Sequence, residues 1–285
     1  MLLVATVIVA ILGGTFVSPD DGRGAYDTGR LRLDALNPIS VGHLGASLIL
    51  LAIWPMVSRG IKLSRLQRAA LIAVTLVGLY VLVAAASRGP IASLFLVGLF
   101  YVSTLGVQRA WKFLIIFLAI VIFGYAIVVH FQDSGQFSTL SRIVSTSSGQ
   151  DAAVSERQLA LQGAIRQIAD NPIFGNGLEE KSTRFYPHNV IVESFMATGF
   201  VGGVSFLVIA AFGVRMSLQV ISAGSDHGWV ALIFMQYLVA CQFSGAIYSV
   251  GTYWAFLGAV ITLGLSQRYA VSRAVRYTSV SSSQS

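Results

Sequence analysis

The chain has 285 residues, 55% of them hydrophobic and 11% charged, with 19 Lys and Arg against 12 Asp and Glu and a mean hydropathy of +0.75. So few charges cannot coat a soluble globule of this length, which excludes a soluble domain and indicates an all-α polytopic membrane protein. The net charge of +7 would suit nucleic acid if it were clustered, but the basic residues are spread between apolar runs and no nucleic-acid partner is expected.

A bilayer core of about 30 Å needs roughly 20 apolar helical residues, and runs near that length recur along the chain. They predict about eight transmembrane helices, at 2–17, 39–57, 69–86, 91–107, 113–131, 190–213, 229–247 and 252–266. The first run has no basic segment before it and no clear small-residue cleavage site, so it reads as a retained helix rather than a removed signal peptide. Next comes a polar stretch, 18–36, that mixes four Asp with Arg23, Arg30 and Arg32. Asn37-Pro38 then reads as an N-cap with proline at the first helical position, opening the second span. His43 lies about one and a half turns into that span. A lone imidazole there is read first as a packing residue, although polar groups at membrane depth are costly enough to suggest a function.

Between the third and fourth runs, Ser87-Arg88-Gly89-Pro90 forms a short turn that puts a guanidinium at a membrane boundary. The long connection 132–187 opens with Ser, Thr, Gly and Gln and regains pattern at Ser155. There Ser155 and Gln158 make a capping-box pair, and Leu161, Ala164, Ile165 and Ile168 recur at helical spacing until Asn171-Pro172. This predicts an amphipathic helix on the outer membrane face, with Arg157 as its second residue. A cation there opposes the macrodipole, but beside unpaired backbone N–H groups it would attract phosphate; a plain surface ion pair is the equal alternative. Arg166 and Arg184 read as ordinary surface residues.

Tyr186-Pro187-His188-Asn189 leads into the sixth run, with Glu193 about one turn below His188. His188 or Asn189 could cap that span, and Asn189 is the better cap by residue type. Glu193 is costly at this depth unless paired, and could orient His188 or an Arg as readily as form a structural pair. Gly199, Gly202 and Gly203 read as close-packing positions, and Tyr186 as a sugar-stacking or groove-lining ring. The single cysteine, Cys241, has no partner for an intramolecular disulfide or a Cys-based metal site and reads as a small core residue. No repeat of about 20 to 50 residues is evident, and the Ser-rich end after Tyr277 reads as disordered. The expected organisation is a transmembrane domain over 1–267, with the outward loop at 132–187, followed by a disordered cytoplasmic tail at 268–285.

The loops alternate in charge. Ten basic residues, including Arg59, Lys62, Arg65 and Arg68, share one side with a single acid, Asp226, while the other side holds the remaining nine among ten Asp and Glu. By the positive-inside rule both termini are cytoplasmic, so Arg88, the loop 132–187 and His188 face outward.

The order of these features resembles the O-antigen ligase and polymerase superfamily. The resemblance rests on an Arg in a tight outward turn, a long outward loop with a Ser-Glu-Arg helix start, the string Asn171-Pro172-Ile173-Phe174-Gly175-Asn176-Gly177, and His188-Asn189-Val190-Ile191-Val192-Glu193 running on to Thr198-Gly199-Phe200-Val201-Gly202. It covers most of the chain from Asn37 to Ser266 and is most specific over 171–202. Members generally carry more spans than are counted here. The resemblance implies a GT-C-like bacterial inner-membrane glycosyltransferase with its site on the periplasmic face. Such an enzyme moves a glycan from undecaprenyl pyrophosphate to a growing polysaccharide or lipid A core, with inversion and without cofactor or required metal. Arg88 and Arg157 would then bind the pyrophosphate, His188 would act on the acceptor hydroxyl, and Glu193, Asn189 and Tyr186 would orient or support. Membrane lipid is the remaining partner. Two alternatives come from other classes: a lipid-linked oligosaccharide transporter or flippase, which would place its ionisable groups near the bilayer midplane, and a non-catalytic partner of polysaccharide assembly.

Overall fold

The computed structural model describes residues 36–58, 60–105, 111, 115, 118 and 152–282, with side chains described from 155 to 269 in the last stretch. The expected first span, nearly all of the loop 18–36, most of the fifth span and the opening of the loop 132–187 lie outside the described residues. Those described are helical, with seven helices and no strand: α1 (Pro38–Val57), α2 (Arg65–Ala84), α3 (Arg88–Ser103), α4 (Ala152–Asp170), α5 (Val190–Ser222), α6 (Gly228–Ala240) and α7 (Gly251–Ser282).

Three of these, α1, α2 and α5, are long and apolar enough to cross a membrane, while α3 and α6 are apolar but shorter, at 16 and 13 residues. α1 begins as its sequence predicts: the Asn37 side chain accepts from Ser40 N at 2.9 Å, and Pro38 occupies the first turn, where its missing N–H costs nothing. α2 starts earlier than the expected position 69, because Ser64 and Gln67 close a reciprocal capping box. α1 packs closely on α2. A Cβ on Gly45 would stand 2.7 Å from the Gly78 carbonyl oxygen, so the two backbones approach as only glycines allow.

α6 ends at Ala240 instead of running on to 247, and the chain turns through 241–250 before α7 begins. Gly245, at φ +103°, takes a backbone that side chains rarely adopt, which breaks the apolar run. Beyond Gly264 no Gly or Pro interrupts the sequence, and the end expected to be disordered after Tyr277 is helical as far as Ser282.

α5 departs most from a simple span. Its 33 residues amount to about 50 Å, more than a bilayer core needs, and it is broken at Gly199 (φ 63°, ψ −161°). The turn after α4 plugs the break. Phe200 N donates to Pro172 O at 2.7 Å, Val201 N to Ile173 O at 3.5 Å, and Asn176 N to Met196 O at 3.1 Å. The carbonyl of Ile173 sits where a Cβ of residue 199 would be, so glycine is required by conformation and by space together. Apolar surroundings give freed backbone groups no water, and the 171–176 turn supplies the missing partners.

The largest core cluster joins α1, α3, α5, α6 and α7 through residues such as Trp54, Tyr101, Phe206, Met216, Phe234 and Tyr253. The helices alternate in direction, which gathers the starts of α1, α3, α5 and α7 and the ends of α2 and α6 at one end of the bundle. Call this the upper end. At the lower end the Trp54 indole N–H donates to Asp226 O at 2.9 Å, tying α1 to the turn before α6.

Candidate functional site

The upper end holds Arg88, Arg157, Tyr186, His188, Asn189 and Glu193, and it is built from loops braced against helix ends. α4 begins at Ala152, four residues before the expected first helical residue Glu156, since Ala-Ala-Val before Ser155 offers no obstacle to helix. Arg157 is therefore the sixth residue of α4 and not the second, so its expected place at a helix N-terminus is corrected. That position belongs to Arg88, the first residue of α3, whose N-cap Ser87 makes no side-chain cap bond. The physical argument made for Arg157, a guanidinium beside the positive end of a macrodipole, applies to Arg88.

Phe243, in the 241–250 loop, meets Arg157 and Gly89, the residue after Arg88. Arg157 donates from Nη1 to Phe243 O at 3.4 Å, and a Cβ on Gly89 would lie 3.6 Å from the Phe243 Cβ. Arg88 and Arg157 are both part-buried. Arg166 and Arg184 are exposed, as expected of surface residues.

α4 packs against α5 with Ala160, Ala164 and Gln167 buried, while Leu159 and Ile165 are more than half exposed. Its small residues accommodate the turn that carries His188. Glu180 lies over Gly163, and Gln167 clasps the same turn, donating to Glu179 O at 3.3 Å and accepting from Lys181 N at 3.2 Å. The Glu180 carboxylate accepts from Ser182 and Thr183, backbone and hydroxyl alike, at 2.7 to 2.9 Å. Burial alone would raise this carboxyl, but the four donor groups outweigh it and bring it down to about 2. Sequence reading missed Glu180: nothing in Glu-Glu-Lys-Ser-Thr announces that one carboxylate closes the turn.

From that turn the chain passes to a stack of rings. Phe185 and Tyr186 stack at 4.5 Å between centroids, and His188 packs against both, 5.2 Å from Phe185 and 4.5 Å from Tyr186. His188 has a left-handed backbone, φ 55°, which is strained for a residue with a side chain and is held by buried Pro187 on one side and the Asn189 cap on the other. Its Nδ1 is buried without a hydrogen-bond partner. Burial, reinforced by the positive charge of Arg157, brings the imidazole down to about 4, so it is neutral at physiological pH. Burial chiefly raises the Tyr186 phenol, with Tyr248 and Glu193 adding to that and Arg157 opposing it. His188, Tyr186 and Arg157 therefore share one electrostatic neighbourhood.

Asn189 is the N-cap of α5, accepting from Val192 N at 3.0 Å, as its residue type suggests. The 241–250 loop closes the rest of this helix start: Val190 N donates to Cys241 O at 3.1 Å and Ile191 N to Gln242 Oε1 at 3.4 Å. Glu193, wholly buried, does not pair with His188. It accepts from Ile247 N at 2.8 Å through Oε2, while Oε1 has no partner. Its observed action is on the loop that carries Phe243. Cys241 is buried and reduced, as expected of a small core residue.

Next to this cluster lies a cavity of about 450 Å³ between α1, α6 and the start of α7, and Tyr186 forms part of its wall. Among the described residues no three His, Cys, Asp or Glu side chains gather into a cation site.

Residues 71–207 match a family model described as O-antigen ligase, a stretch running from α2 into α5 that includes Arg88, Arg157, Tyr186, His188, Asn189 and Glu193. No curated protein matches the chain.

Proposed function

We propose that this O-antigen ligase/polymerase-like membrane protein transfers a glycan from undecaprenyl pyrophosphate to an acceptor hydroxyl, on a growing polysaccharide or on lipid A core, at the periplasmic face of the bacterial inner membrane. The observation that carries the reading is the grouping of neutral His188, Tyr186 and Arg157 at the end of the bundle where α3 opens with Arg88.

In the proposed step the acceptor oxygen attacks the sugar C1 from the face opposite the pyrophosphate. The C1–O bond to the acceptor forms as the C1–O bond to the pyrophosphate breaks, and the anomeric centre inverts. The acceptor proton passes to His188, and the bonding electrons leave with the pyrophosphate, whose growing charge is met by Arg88 and Arg157. No metal enters this scheme. An imidazole brought down to about 4 is unprotonated and ready to accept, but it is a weak base. Part of that lowering comes from Arg157, so a pyrophosphate that neutralises Arg157 raises His188 and strengthens it as substrate binds. Tyr186 and the Glu180 turn hold the ring, and Glu193 holds the loop on which Arg157 leans.

The transporter alternative needs a broken helix that opens onto a substrate path. α5 is broken, but the amides after its break are taken up by Pro172 O and Ile173 O, which favours the enzyme.

The test is transfer in vitro from purified undecaprenyl pyrophosphate glycan with EDTA present, comparing the parent protein with His188→Ala and Arg88→Ala. Product from the parent and its loss in both folded variants supports the proposal. Failure to form product with either acceptor, while the lipid still binds, overturns it in favour of the transporter or the assembly partner.

A further inference from the structure

The cavity beside the ring stack is lined by uncharged polar groups, two tyrosine rings and aliphatic side chains such as Leu36, Ile39, Leu44 and Val250. Ser40 and His43 come from α1 and Asn37 is its N-cap, Tyr237 comes from α6, Thr252 from α7, and Tyr186 from the His188 loop. Its volume of about 450 Å³ lies within the range of roughly 300–1,000 Å³ typical of small-molecule sites. Among the described residues no Lys, Arg, Asp or Glu lines it.

His43 is the unexplained member. Its side chain is only 6% exposed, and neither Nδ1 nor Nε2 has a hydrogen-bond partner. Its surroundings are otherwise well satisfied: Gln236 Nε2 donates to the His43 carbonyl at 3.0 Å, and Ser47 Oγ donates to Gln236 Oε1 at 3.0 Å. The Tyr237 ring packs 5.8 Å from the imidazole. A purely structural imidazole at this depth would be paired, because two unmet polar atoms are costly without water.

We infer that this cavity is a sugar-binding subsite that takes one uncharged pyranose unit, with His43 reading its hydroxyl groups. The lining chemistry selects that class. A phosphate would find no cation among the described wall residues, and a prenyl tail would strand the amide, hydroxyl and imidazole groups in hydrocarbon. A sugar ring offers hydroxyls that donate and accept at once, matching a neutral imidazole with one N–H and one lone pair, and apolar ring faces that lie against Tyr186 and Tyr237. Tyr186 touches both the cavity and His188, so the bound unit sits one ring away from the proposed base. The inference rests on the glycan-transfer reading, and the sugar belongs either to the donor glycan or to the acceptor.

The experiment uses the full chain in lipid nanodiscs and, as probe, the glycan released by mild acid from its own lipid pyrophosphate. His43→Phe keeps the ring against Tyr237 and removes both nitrogens; Thr252→Val removes a cavity-wall hydroxyl that hydrogen-bonds Tyr237, with little change of shape, and covers the case in which His43→Phe does not fold. Saturation-transfer NMR should show binding to the parent, weakened at least fivefold by either variant at unchanged melting temperature. In the transfer assay a raised KM for acceptor alone assigns the subsite to the acceptor sugar, and a raised KM for lipid-linked donor alone assigns it to the donor. Parent-like glycan affinity and parent-like KM values in both folded variants overturn the subsite while leaving the transferase reading intact. Loss of the transferase reading shows separately, as absence of product from the parent.

Discussion

The two ends of the bundle enclose cavities of nearly equal size and unlike neighbours. The upper one, about 450 Å³, is walled by His43, Tyr186 and Tyr237 and adjoins His188 and Arg157; the lower one, about 500 Å³, is walled by Trp54, Val57, Tyr101, Leu105 and the backbone turn ending at Gly224. Volume does not distinguish them. What does is the company of buried polar atoms without a partner: both nitrogens of His43, His188 Nδ1, Glu193 Oε1 and Tyr253 Oη toward the upper end, against the Ser58 hydroxyl and Gln267 Oε1 toward the lower. The lower cavity has Ser58, Thr104 and Ser222 on its wall beside Trp54, whose indole ties α1 to Asp226, whereas the unpaired imidazoles stand at the end where a ligand is proposed.

The sharpest way to break this contrast is to remove upper-end chemistry. His188→Ala should lower kcat by about 10²- to 10⁴-fold, the usual worth of a proton-transfer group, and Arg88→Ala should cost at least tenfold in kcat/KM. Single-turnover transfer with purified lipid-linked glycan measures both, and parent-like rates would return the upper end to a structural role.

Next in size is the plug that holds the upper end in shape. Gly199→Ala combines a left-handed backbone with a clash against the Ile173 carbonyl, and should destabilise by about 2 kcal/mol or more. A melting curve unchanged from the parent would mean that α5 and the 171–176 turn do not meet as described. A smaller loss is expected from Glu193→Ala, which leaves Ile247 N buried without its acceptor at a cost of about 1–3 kcal/mol. Glu193→Gln should restore most of it, because an amide oxygen can still accept; if Gln fails as badly as Ala, the charge and not the hydrogen bond matters.

The pH profile sharpens the comparison without a mutation. The pKa of His188 is lowered, so its neutral form persists until the pH falls to about 4. kcat/KM at pH 5 should therefore stay within about twofold of its value at pH 7, whereas an imidazole at its ordinary value of about 6.5 would lose roughly thirtyfold. The acid limb of kcat should lie higher than that of kcat/KM, since bound pyrophosphate offsets Arg157. Coincident limbs would remove the substrate-assisted part of the mechanism. Least of all should change at the lower end: Ser58→Ala is expected to leave transfer within twofold of the parent, and a large loss there would dissolve the distinction between the two cavities.

Much of this was legible in single residues. Asn37-Pro38 and Asn189 cap the helices that their types predict, because a cap depends on groups within one turn of each other. Asn171-Pro172 ends α4 for an equally local reason. Ser155-Gln158 carries a capping-box pattern yet lies inside α4, since three good helix-compatible residues precede it. The partner of Glu193 could not be read either: spacing put it below His188 on one helix, but the carboxylate turns to Ile247, 54 residues away in sequence.

The sequence by itself determined that the chain is a helical membrane protein, where most of its described helices begin, and which ionisable residues stand at the boundaries. These follow from composition and from interactions within a turn. Only the tertiary structure decided that Arg88 rather than Arg157 opens a helix, that α5 breaks at Gly199 and is mended by the 171–176 turn, and that His43 shares a cavity wall with Tyr186. The last two depend on backbone groups and rings brought together from distant parts of the chain, where burial makes every unpaired polar atom expensive and so decides which segments must meet.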